Sequence, residues 1–165
     1  MNRSLTMRLL VTALFLSAVT GLRPARAETL LQATLDGSQV APPSDSDATG
    51  TATLILNDAQ TQVEYVVMYA GLEGEETDAH FHQGGPGEDG PILHHLPLGS
   101  PKFGTWDVDA HEVGYLLNGM VYVNIHTTTH VSGEIRGDIT ESTAGLTLGA
   151  VDTSWGRIKA LFNED

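Results

Sequence analysis

The chain has 165 residues, no cysteine, seven histidines and a formal charge of −13 at neutral pH. Without cysteine it has no disulfide, thiolate metal site, iron–sulfur cluster or cysteine nucleophile. Four of its eight basic residues, and none of its 21 acids, lie in residues 1–27; the remainder carries four basic residues against 21 acids, a formal charge of −17 that repels nucleic acid and anionic membranes.

Residues 1–27 read as a secretory signal peptide. Arg3 and Arg8 precede an apolar run from Leu9 to Leu22, and Ala25-Arg26-Ala27 is a small-x-small site with cleavage expected after Ala27. The run is shorter than the ~20 residues that span a bilayer, and nothing later is long or apolar enough to span. The mature chain is expected to be secreted or periplasmic, with one β domain over residues 28–140 and an extension over 141–165.

Glu28 to Leu35 predicts a first strand, and Asp36-Gly37-Ser38 a turn. Gly50 to Leu56 is a second strand with Ala52, Leu54 and Leu56 on one face. Asn57 to Gln60 is a hairpin connection, and Thr61 to Ala70 a third strand. Ala79 begins a fourth strand that carries His80 and His82. Gln83 to Pro91 holds four glycines and two prolines, which makes it a loop. Ile92 to Leu96 is a short strand. Asp109 to Leu117 is a short helix with Asp109 as its cap.

Met120 to His126 is the clearest strand, with Val121, Val123 and Ile125 on one face and Tyr122, Asn124 and His126 on the other. Gly133 to Ile139 is its antiparallel partner, with Ile135 and Ile139 inward and Glu134, Arg136 and Asp138 outward. Asp152 to Phe162 predicts an amphipathic helix with Trp155, Ile158, Leu161 and Phe162 on one stripe. The whole is all-β: an antiparallel, Greek-key-like β-sandwich or flattened barrel, with a short helix near 109–117 and a C-terminal helix at 152–162.

All seven histidines, His80, His82, His94, His95, His111, His126 and His130, fall between residues 80 and 130. Residues i and i+2 of a strand share a side, so His80 and His82 face together while Phe81 enters the core. His126 faces away from the Val121 side. If the two strands are neighbours, the three rings converge, and three histidines with an open position suit zinc or copper. His94 and His95 are further candidate ligands. His111 is expected on the helix surface and His130 in a turn. Ser100 and Ser132 lack a nucleophile-elbow context, so no catalytic residue is assigned.

In order, Gln32 to Pro43, Ala48 to Leu54, Ala79-His80-Phe81-His82, Gly104-Thr105-Trp106, Gly119 to Thr127 and Gly133 to Gly137 form a set that resembles the CHRD domain. That module is repeated in chordin and stands singly in many bacterial secreted proteins. The resemblance covers about residues 30–140. It implies a secreted all-β module with no general enzymatic activity assigned. Gln83 stands where the pattern usually has glycine, and His94-His95 is an addition to it.

The order His80-Phe81-His82, His94-His95, His126 also distantly resembles copper–zinc superoxide dismutase, with Arg136 as a residue to hold an anion. Together these features imply an exported, non-catalytic binding or structural module with a surface histidine site for copper or zinc. Its expected partner is an extracellular protein or a metal ion. The alternatives are a metal-dependent redox enzyme, or an adhesive domain whose histidines are incidental.

Overall fold

Along β1 (Thr29–Asp36), Leu31, Ala33 and Leu35 are buried while Gln32 and Thr34 are exposed. The same alternation runs through β2 (Thr49–Leu56), which buries Ala52, Leu54 and Leu56. A computed structural model describes residues 28–142. The signal peptide expected over 1–27 and the helix expected over 152–162 lie outside the described residues.

The remaining elements are β3 (Gln62–Ala70), β4 (Glu76–Gln83), β5 (Ile92–His95), β6 (Lys102–Asp107), α1 (Ala110–Leu117), β7 (Val121–Thr127), β8 (Ile135–Asp138) and the two-residue β9 (Thr140–Glu141). The strands pair in the order β5-β4-β7-β8-β1-β2-β3-β6, with β9 added to β1. Every pairing is antiparallel. The all-β sandwich or barrel expected from sequence is what forms, as one nearly closed barrel-shaped sheet.

The inward faces meet in a single core. Phe81 of β4 stacks on Trp106 of β6 at 5.6 Å and meets Tyr65 of β3 edge-on at 5.3 Å, which draws the two ends of the sheet together. Leu31, Leu54, Val123, Ile125 and Ile135 fill the space between, each wholly buried. Burial of one such aliphatic side chain contributes about 1.5–3 kcal/mol, so packing alone supports a domain without cross-links.

α1 begins as the sequence predicts. The Asp109 carboxylate accepts from the His111 and Glu112 amides at 2.8 and 2.9 Å, and Glu112 accepts from the Asp109 amide at 2.8 Å, a reciprocal capping box. Val113 and Leu116 anchor the helix to the core.

Two strands differ from expectation. β4 starts at Glu76 rather than Ala79, and β8 is shorter than the predicted Gly133–Ile139. A larger correction concerns Glu134 and Arg136, predicted on the outward face of their strand. Both are buried, and they do not pair with each other. Glu134 accepts from the Thr127 and Ser46 hydroxyls and from the Glu73 amide. Arg136 binds Asp138 and two loop carbonyls. They do lie across the sheet from Ile135, but loops cover that side.

Candidate metal site

β4 is the middle strand of the region that matters. On its non-core face Asp78, His80 and His82 follow one another at every second residue. β7 runs beside it with Asp78 opposite His126, His80 opposite Asn124 and His82 opposite Tyr122. β5 runs along the other side with His80 opposite His95 and Phe81 opposite His94. The antiparallel register therefore does what the sequence spacing could only allow: it brings His126 to the His80–His82 pair. Ring centroids of His80 lie 5.3 Å from those of both His82 and His126. One nitrogen from each of the three lies within 4.8 Å of the others.

The rings are held by backbone carbonyls. His82 Nδ1 is 2.9 Å from Gly90 O, and His126 Nδ1 is 2.9 Å from Val131 O. A carbonyl only accepts, so each Nδ1 carries the proton and each Nε2 keeps its lone pair. Both Nε2 atoms are buried without a hydrogen-bond partner, as are both ring nitrogens of His80. Asp78 Oδ2 lies 3.0 Å from His80 Nε2, an ion-pair distance.

The histidines face away from the core, as predicted, but not into solvent. His80 is 5% exposed and His82 9%. The 83–91 loop folds over them. Gly84 N–H donates to Met120 O, Gln83 N–H donates to Pro91 O, and Arg136 donates to Gly85 O at 2.7 Å and Glu88 O at 2.8 Å. Gly90 passes so close to Gln83 that a Cβ there would lie 1.7 Å from Gln83 O, so only glycine fits at the residue whose carbonyl orients His82.

Burial holds the His80 pKa below its ordinary value; the Asp78 carboxylate opposes this, while His126, His82 and His95 reinforce it. Burial does the same to His82, against the bond to Gly90 and with help from His126 and Arg136. Both imidazoles are thereby favoured in the neutral, ligand-competent form at neutral pH.

The adjacent pair His94-His95 divides, because neighbouring residues of a strand face opposite sides. His95 faces His80, with centroids 4.6 Å apart. His94 points the other way, stacked on Trp106 at 5.6 Å and edge-on to Tyr65, which corrects its expected place among the ligands. His111 is exposed on α1, and His130 sits in a turn with Nε2 3.0 Å from Glu73 Oε2. Arg136 also departs from its expected role. Its guanidinium is taken up by Asp138, two carbonyls and the Tyr122 ring, leaving it committed rather than free to hold an anion.

Asp78 is the residue that sequence reasoning missed. The signal was present: it stands two positions before His80 and so shares its face. Starting the strand at Ala79 left it out.

No curated protein and no solved structure matches the chain. The CHRD domain family model matches residues 31–139, which contain most of β1, all of β2 to β8 and the histidine face. CHRD domains are binding or structural modules and are generally extracellular, and among the described residues no helix is long and apolar enough to cross a membrane. The chain belongs to the CHRD domain family.

Proposed function

We propose that this CHRD domain is an exported, non-catalytic binding module that holds a copper or zinc ion through His80, His82 and His126. One observation carries the reading: the buried His82 and the half-buried His126, each fixed by a carbonyl at Nδ1, leave a buried Nε2 without a partner beside His80, a buried imidazole that has none at either nitrogen. Buried polar atoms without partners are uncommon in native folds because each carries a desolvation penalty of about 1–3 kcal/mol. A shared cation removes that penalty at all three rings. Imidazole suits both copper and zinc, and three histidines with an open position is a recurrent zinc arrangement. A carbonyl on the far nitrogen is the usual support for a ligating histidine. The −17 charge of residues 28–165 also favours cations nearby. Export rests on the pattern of residues 1–27.

Untagged, chelator-stripped protein titrated with Cu2+ and Zn2+ tests the site. Tight binding that His126→Ala abolishes and His111→Ala leaves unchanged is the expected result. A protein that takes up neither metal contradicts it. Export is tested by cell fractionation, with the mature protein expected to begin at Glu28.

A further inference from the structure

His80 belongs to two groups of potential ligands. The first is His80, His82 and His126; the second is Asp78, His80 and His95. They share His80 and no other member. In neither group do Asp78 or His95 stand with His82 or His126. His80 lies at the centre of the face, with His95 of β5 directly opposite on one side and β7 on the other.

We propose a second cation site at Asp78, His80 and His95, adjacent to the first, with the His80 ring shared between two ions. The proposal rests on the first site and extends it. An imidazole has two nitrogens, and in His80 both are buried without a hydrogen-bond partner, so each can serve one ion. Filling both positions forms two metal–nitrogen bonds and displaces the ring's single N–H proton to solvent.

The two sites differ in character. The first is made of three imidazoles, two of them buried. The second adds a carboxylate and opens to solvent, with the Asp78 side chain 49% exposed and His95 exposed. Histidine and aspartate are both ordinary zinc ligands, and two histidines with one carboxylate leave positions free for an outside ligand. The first site is therefore the retained ion and the second the exchangeable one.

Zinc titration of the untagged, chelator-stripped protein, with bound zinc counted by equilibrium dialysis, tests the proposal. Two zinc ions per chain are expected for the wild type. The ratio falls to one in His95→Ala and in Asp78→Asn, whose side chains lie outside the core, and to one in His126→Ala. A wild-type ratio of one overturns the second site while leaving the first standing; a ratio of zero removes the first as well. Loading with two equivalents of Cu2+ then tests the shared ring. A coupled pair loses most of the isolated Cu2+ resonance intensity. Full additive intensity from two uncoupled coppers overturns the sharing of His80.

Discussion

The Arg136 guanidinium lies 3.5 Å from the centre of the Tyr122 ring, which also stacks on His82 at 4.9 Å and 5°. The Tyr122 ring thus links the β8 arginine to a histidine of the proposed site. The same guanidinium donates to Gly85 O and Glu88 O, and the Tyr122 hydroxyl accepts from Gly90 N–H. Arg136 thus fastens the loop whose Gly90 carbonyl orients His82.

Arg136→Ala is expected to lower stability by about 3–5 kcal/mol, because it leaves Asp138 and two loop carbonyls without their cation. Metal affinity should fall by roughly 10- to 100-fold as His82 loses its support. Urea denaturation and metal titration read the two effects separately. Unchanged affinity in a folded variant would show that the loop is not fastened through Arg136.

Glu134 is expected to set part of the acid limit of stability. Burial alone raises its pKa, but hydrogen bonds from Thr127, the Glu73 amide, Ser46 and the Gly74 amide outweigh it and hold the carboxyl below its ordinary 4.5. A carboxyl with a lower pKa folded than unfolded binds fewer protons in the native state, so its contribution is present above pH 4.5 and is lost as pH falls through the folded value. Stability measured from pH 7 to pH 3 should fall more steeply for the wild type than for Glu134→Gln. Parallel curves would contradict this.

Lys102 is 1% exposed and bonds to Glu76 and to Pro97 O, while Glu76 also accepts from the Tyr69 hydroxyl and the Gly99 amide. Removing one partner of a buried pair leaves an uncompensated charge. Glu76→Ala is therefore expected to cost about 3–5 kcal/mol, and adding Lys102→Met to it should restore part of that loss. Denaturation of the single and double variants forms the cycle; strictly additive losses would show that the two do not interact.

Gly114 lies within α1, where an added Cβ meets nothing within 4 Å. Gly114→Ala should raise stability by about 0.5–1 kcal/mol through reduced backbone entropy in the unfolded chain. A lowered melting temperature would contradict the open environment.

Much of this was legible in sequence, and the remainder has identifiable physical causes. Alternation placed Phe81 in the core and His80 and His82 together on the other side, and Asp109 marked the start of α1. Alternation tells which side of a sheet a residue takes, but not whether a loop covers that side. Glu134 and Arg136 were misjudged for that reason, and His80 and His82 proved buried rather than surface residues. The approach of His126 depends on strands whose paired residues Asp78 and His126 are far apart in the chain, and that pairing has no local signal. The division of His94 from His95 follows from strand geometry once the strand is known.

The central claim is that the free nitrogens of His80, His82 and His126 bind a metal ion. Nitrogen-15 NMR of histidine-labelled protein, before and after one equivalent of Zn2+, tests it most directly. Coordination shifts are expected at Nε2 of His82 and His126 and at a ring nitrogen of His80, while His94, His111 and His130 keep their resonances. Unshifted resonances at His80, His82 and His126 would contradict the account.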